Sequence, residues 1–241
     1  MEHVRTVVFS AHADDAALSC GGGLLLGVHP GPYALVTAFS ESDFAPGLPN
    51  RLTREEVTRR RRAEDAAFCE RIGASGVRLG LPEPPLRGYD RFSSIFDAGA
   101  DPLRDSLFPK VRELVDAAAG LFPEAELLLA PLGLGHHIDH LLVREAVREA
   151  ARDRSLPPAF YEDLPYASEY TTDEIRDFAL AVDGGLRPRD FDLSEVMEAK
   201  LRLIEIYASQ EVPHFVRSVL AHGRRLAEPG PGWKERLWIS P

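Results

Sequence analysis

Thr6-Val7-Val8-Phe9-Ser10 followed by Ala11-His12-Ala13-Asp14-Asp15 is the stretch on which the fold turns. Its first half is β-branched and aromatic throughout, the signature of a strand buried on both faces. Its second half puts an imidazole and two carboxylates directly after that strand. A helix-compatible segment follows, interrupted by Gly21-Gly22-Gly23.

Outward from this start the same alternation repeats. Residues 33–39 read as a second strand after the breaker Pro30-Gly31-Pro32. Thr53 and Glu56 form a capping box that opens a long helix to about Ile72, which Gly73 ends. Residues 77–81 read as a third strand. Residues 82–100, rich in Pro, Gly and Ser, read as a long loop, which in a compact domain usually serves function. Asp101-Pro102 starts another helix as N-cap and first helical residue. Leu127-Leu128-Leu129-Ala130 is an apolar strand stopped by Pro131, and Gly133 and Gly135 lead into His136-His137-Ile138-Asp139-His140 and a helix through Arg152. Ala159-Phe160-Tyr161 and Ala179-Leu180-Ala181-Val182 are further strand candidates. Residues 193–227 read as mostly helical, and Pro229-Gly230-Pro231-Gly232 turns the chain into a short apolar tail. Strands alternating with helices predict an α/β fold, a mainly parallel sheet covered on both faces, with residues 1–241 as one domain.

Composition narrows the function. An apolar fraction of 44% and a charged fraction of 27% are those of a soluble globular protein. No apolar run approaches the roughly 20 residues of a transmembrane helix. The start of the chain lacks a signal-peptide pattern, so the expected location is the cytoplasm. The net charge of -10 argues against nucleic acid as a partner. Cys20 and Cys69 form no C-x-x-C pair, which disfavours both a disulfide framework and a cysteine-based zinc site. Arg59-Arg60-Arg61-Arg62 lies in a helix among acidic residues and reads as a solvated face from which one arginine could reach a substrate.

In parallel α/β sheets, sites form outside the carboxyl ends of the strands. His12, Asp14 and Asp15 occupy such a position after the first strand, and His137 and His140 after the strand at 127–130. Imidazole plus carboxylate suits zinc, whose catalytic sites use three protein ligands and leave one position open. One carboxylate and one imidazole then remain for acid–base work. Each piece alone has a plain structural reading: a hydrogen-bonded histidine, an aspartate N-cap, or a polar loop at His136-His137. His136 with His140 is an alternative i, i+4 pair. The joint occurrence favours a site.

The segment Ala11-His12-Ala13-Asp14-Asp15-Ala16-Ala17-Leu18-Ser19-Cys20-Gly21-Gly22 resembles the first signature of the PIG-L (LmbE-like) deacetylase family, and His137-Ile138-Asp139-His140 resembles its second, H-x-D-H. Supporting matches are Arg61 and Glu64 with Gly73, Leu79-Gly80-Leu81-Pro82, Tyr161-Glu162-Asp163 with Pro165-Tyr166, and Lys200 through Tyr207-Ala208-Ser209-Gln210. The resemblance implies a Rossmann-like fold with zinc, replaceable by another divalent first-row metal, on His12, Asp15 and His140. It implies Asp14 as general base, His137 as general acid or oxyanion stabiliser, and Asp139 as the partner that orients a histidine. The implied reaction is hydrolysis of an N-acyl group, usually acetyl, on an amino sugar or a related small polar molecule. Ala13, Ala16 and Ala17 depart from the usual Pro and Glu of the first signature, so no particular substrate carries over. Arg61 and Glu83 are candidate substrate contacts. The rival readings are a non-catalytic metal- or sugar-binding member of the fold and a nucleotide-binding transferase. The second is weakened because Gly21-Gly22-Gly23 matches no dinucleotide or phosphate-loop motif. Nothing in the sequence speaks to oligomeric state.

Overall fold

The computed structural model describes residues 3–48, 52–89, 91–157 and 159–240. Strands β1 (Thr6–Ser10), β2 (Tyr33–Glu41), β3 (Ser75–Pro82), β4 (Leu127–Pro131) and β5 (Ala159–Tyr161) pair in parallel in the order β3-β2-β1-β4-β5. Strands β6 (Arg187–Asp192) and β7 (Lys234–Ile239) extend the sheet beyond β5 in the order β5-β7-β6, both pairings antiparallel. The chain winds one way from β1 to β2 and β3, then the other way to β4 and β5. The β1–β4 boundary is therefore a topological switch point, where the carboxyl ends of adjacent strands open a crevice.

Strand residues alternate between two cores, as a pleated sheet buried on both faces requires. Val7, Phe9, Val36, Leu128 and Phe160 face one core, with Val115 of α5 (Phe108–Gly120), Leu142 of α6 (Ile138–Asp153), Ala179 of α7 (Thr172–Val182) and Val219 of α9 (Val212–Ala227). Val8, Leu35, Leu129 and Tyr161 face the other. Opposite them lie Ala16 of α1 (Asp15–Ser19), Leu24 of α2 (Gly21–Leu26), Phe68 of α3 (Arg54–Ile72) and Leu203 of α8 (Met197–Ile204). No described helix is long and apolar enough to cross a membrane.

The capping box stands: Thr53 accepts from the Glu56 amide at 3.2 Å, and Glu56 accepts from the Thr53 amide at 2.8 Å. Residues 179–182, expected as a strand, are instead the last turn of α7. A second capping box at Thr171 and Glu174 opens that helix, and Ile175 and Ala179, one turn apart, are its buried stripe. A short apolar run carries no periodicity of its own, and here the upstream cap decides its type. Asp101 does cap, but only a short 3₁₀ turn, Pro102–Arg104; α5 begins at Phe108. The segment after β3 is likewise not all loop, since it holds a 3₁₀ turn, Pro84–Arg87, and the short helix α4 (Phe92–Ile95).

Candidate active site

The loop after β1 is fixed by its own side chains. Ser10 Oγ donates to the His12 carbonyl at 2.7 Å and accepts from the Ala16 amide at 3.2 Å. Asp15 Oδ2 accepts the His12 amide at 2.7 Å. Asp14 occupies the N-cap position of α1, yet its side chain caps no amide. Its carboxylate is left for other work.

The loop after β4 carries the second set. Gly133 and Gly135 both have positive φ, 90° and 81°, and turn the chain into α6. Asp163, just past β5, accepts the amides of Gly133 and Leu134 on one oxygen at 2.8 and 2.9 Å. Its other oxygen lies 2.7 Å from His140 Nδ1. His137 caps α6 in an unusual way: its Nδ1 accepts the Asp139 amide at 3.2 Å. An imidazole whose Nδ1 accepts carries its proton on Nε2 when neutral.

The two loops meet across the switch point. His12 Nδ1 and His140 Nε2 stand 3.3 Å apart, and Asp15 Oδ2 lies 3.6 and 3.5 Å from them. The far nitrogen of each ring is engaged by a carboxylate: His12 Nε2 by Asp139 at 3.1 Å, His140 Nδ1 by Asp163 at 2.7 Å. With protons placed on those far nitrogens, the two near nitrogens turn lone pairs toward each other and toward Asp15. Such an arrangement repels itself unless a cation sits between. Donors at about 2.0–2.1 Å in a tetrahedral set are separated by about 3.3–3.4 Å, close to what is observed, and carboxylate-backed histidines are usual for metal ligands. These residues therefore fit a metal ion. The field agrees. Burial disfavours the charged ring of His12, but hydrogen bonds to Asp139 and Asp15 raise its pKa well above the ordinary value. Burial also works against a charged His140, and there Asp15 and Asp163 outweigh it. His136, by contrast, packs against Phe178 at 5.4 Å, and the metal-competent groups found among the described residues do not include it.

A cleft of about 470 Å³ opens over this cluster, lined by His12, Asp14, Asp15 and His137 from the switch point and by Arg61 and Glu83 from the β2–β3 side. Of the four consecutive arginines, Arg59, Arg60 and Arg62 are exposed and Arg61 is buried. Arg61 pairs with Glu83 at 2.7 Å and with Asp14 at 3.3 Å, whereas Glu64 and Asp65 are taken by Arg60 and Arg78. Burial raises the Asp14 carboxyl above its ordinary value, with Arg61 pulling against it. In Asp15 burial pulls upward too, but His140 and His12 prevail and hold it at about 2. Burial, then the neighbouring His12 and His140, keeps His137 well below the ordinary imidazole value, hence neutral. Aromatic rings crowd its outer side, Phe96 edge-on at 5.0 Å and Tyr166 at 6.3 Å. Sequence reading assigned no site role to Asp163, Arg87, Phe96 or Tyr166. For Asp163 and Tyr166 a signal exists, since both stand in the match that runs from Tyr161-Glu162-Asp163 to Pro165-Tyr166; for Arg87 and Phe96 no local pattern marks them out.

The family model described as GlcNAc-PI de-N-acetylase matches residues 7–151, which run from β1 into α6 and hence include both loops of the cluster. A 2'-N-acetylparomamine deacetylase of Streptomyces fradiae is 37% identical over 226 residues, 92% of this chain and 78% of that protein. Among solved structures, the A40926 pseudoaglycone deacetylase superposes with a TM-score of 0.71 at 24% identity, covering 98% of this chain and 97% of the other. A deacetylase–teicoplanin complex superposes with a TM-score of 0.73 at 22% identity, covering 98% of each. At these identities the two structures bear on the fold alone.

Proposed function

The chain belongs to the PIG-L family and is an N-deacetylase; from that premise we propose that it removes the N-acetyl group of an amino sugar within a small polar glycoside, using zinc held by His12, Asp15 and His140. The observation that carries this reading is the approach of two ring nitrogens, His12 Nδ1 and His140 Nε2, 3.3 Å apart beside the Asp15 carboxylate, with Asp14, whose side chain caps no amide, next to them. An amino sugar joined to an aminocyclitol is the favoured substrate, supported by the relative that acts on 2'-N-acetylparomamine. A cytoplasmic setting belongs to the same reading, supported by two buried free cysteines. So does a single domain over residues 1–241, since strands from both ends of the chain share one sheet.

A bound divalent zinc ion supplies Lewis acidity, polarising the amide carbonyl and lowering the pKa of water from 15.7 to about 7. Asp14 removes the proton of the attacking water. Its raised pKa brings it nearer neutrality, where a general base is most effective. Neutral His137 donates from Nε2 to the carbonyl oxygen as negative charge develops there. Asp14 then returns its proton to the departing amine. Arg61 and Glu83, paired to each other, fix Asp14 from one side and present polar atoms to the sugar from the cleft wall. A non-catalytic binding protein would have no use for a carboxylate and an imidazole, Asp14 and His137, that face the cleft beside the proposed ligands.

The test is release of acetate and free amine from 2'-N-acetylparomamine and N-acetylglucosamine conjugates by the zinc-loaded protein. Asp14→Asn is expected to lose about 10²-fold or more in kcat with metal content unchanged. Asp15→Asn should lower metal affinity instead, with activity partly restored by excess zinc. A metal-depleted Asp14→Asn beside a metal-replete, inactive Asp15→Asn exchanges the two roles. Near-normal turnover in both variants sinks the mechanism.

A further inference from the structure

Arg87 takes no part in the chemistry described so far, yet its side chain is only 9% exposed and ends in the metal cluster's support. It comes from the 3₁₀ turn Pro84–Arg87, in the segment that forms one wall of the cleft. Nη1 donates to the Pro82 carbonyl at 2.7 Å and Nη2 to Asp139 Oδ1 at 2.6 Å. The guanidinium carbon lies over two aromatic rings, 4.7 Å from the centre of Phe39 and 5.3 Å from that of Tyr89. Asp139 is fully buried, and its second oxygen engages His12 Nε2 at 3.1 Å. A continuous line thus runs from a cation behind the cleft wall, through one carboxylate, to a ring whose opposite nitrogen faces Asp15 and His140.

We infer that Arg87 is a positioning residue for the metal centre, acting through Asp139 on His12. The inference rests on the metal site proposed above. The Arg87 contact on Oδ1 fixes how the buried carboxylate of Asp139 sits and turns its other oxygen to His12 Nε2. An oxygen so placed accepts from the ring, which holds the His12 proton on Nε2 and leaves Nδ1 free as a ligand. Turned away, Asp139 would release that constraint, and the lone pair of Nδ1 would no longer be assured. Arginine suits this place because its planar fork serves Pro82 and Asp139 at once while its cation lies over the rings of Phe39 and Tyr89. One contact on an oxygen of Asp139 thus ties the cleft wall to the ligand set.

Zinc affinity, measured by competition with a chromophoric chelator, tests this without reference to turnover. The series is wild type, Arg87→Met, Arg87→Gln, Asp139→Asn, and each Arg87 variant combined with Asp139→Asn. Loss of such a supporting contact is expected to weaken metal binding by about 10–100-fold in Arg87→Met, and by less in Arg87→Gln, which keeps a donor. In the Asp139→Asn background the same changes should cost less than about 3-fold, because the route they act through is already broken. Melting of the metal-free forms shows whether each variant folds; should Arg87→Met fail to fold, Arg87→Gln carries the comparison. Unchanged affinity in a folded Arg87 variant overturns the inference, and so does an equal loss in both backgrounds. If wild type itself takes up no zinc, the metal-site reading falls with it. Zinc binding by wild type with unaltered variants removes the role of Arg87 alone.

Discussion

Asp14 and Asp15 are neighbours in sequence with opposite electrostatics. Asp15 is embraced by two imidazoles and an amide and is held at about 2. Asp14 meets burial first, which raises it, and Arg61 second, which lowers it. The same side chain, one residue apart, thereby meets two different fields, suited to the proton acceptor and the metal ligand proposed above. The sign of the Arg61 contribution gives a pH prediction. Asp14 must be ionised to act, so activity falls as pH drops through its pKa. Without the arginine that pKa rises, and in Arg61→Met the acid limb of the kcat/KM profile is expected to move to higher pH. A limb that stays in place, or moves to lower pH, removes Asp14 as the group it reports.

Elements matter here mainly through their ends, and the β4–α6 turn is the most constrained of them. Gly135 adopts φ of 81°, and a Cβ placed there would lie 2.7 Å from Cβ and Cγ of Tyr166. Both conditions oppose any side chain, since left-handed backbone and a fixed neighbour must yield together. Gly135→Ala is therefore expected to cost about 1–3 kcal/mol. It should also displace His137, two residues on, and so lower kcat in step with the melting temperature. Thermal melts with steady-state kinetics check this, and a variant with wild-type values of both shows the turn to be plastic. The same scale holds the clearest misreading. Ala179-Leu180-Ala181-Val182 looks extended in isolation, but helix or strand is settled by what precedes it, the Thr171–Glu174 box. Strand β6, Arg187–Asp192, with charged side chains and a single buried residue, carries almost no hydrophobic signal. It forms because β7 pairs with it residue by residue from Arg187 to Asp192.

At the scale of the molecule, the last strand is locked to the start of the second helix. Glu235 of β7 accepts the amides of Gly22 and Gly23 at 2.9 and 2.7 Å and pairs with Lys200, which is 1% exposed. Removing one partner of such a pair leaves a buried charge and typically costs about 3–5 kcal/mol. For a chain of this size each kcal/mol lowers the melting temperature by about 2–4 °C. Lys200→Met is thus expected to melt roughly 6–20 °C below wild type. Lys200→Met with Glu235→Gln should recover part of that, because the amide is neutral and its one oxygen still accepts from one of the two glycines. Calorimetry decides. If the double variant melts below Lys200→Met, the buried charge is not the source of the loss.

The sequence by itself determined the alternating strands and helices and the two loops that carry His12, Asp14, Asp15, His137 and His140. These signals are local, because an apolar run stopped by Pro131, a cap-and-box pair or a spaced histidine motif acts over a few residues. Tertiary structure alone decided who supports whom. Arg61 meets Asp14 across 47 residues, Arg87 meets Asp139 across 52, and Asp163 meets His140 across 23. Spacing cannot encode such pairings, since nothing in a run of four arginines says which one turns inward. That choice falls to the buried face of α3, where Val57, Arg61, Glu64, Asp65 and Phe68 recur at helical spacing and only Arg61 points at the switch point. The residues of the cluster belong to short motifs, but the electrostatic support around them comes from strands brought side by side by the winding of the sheet.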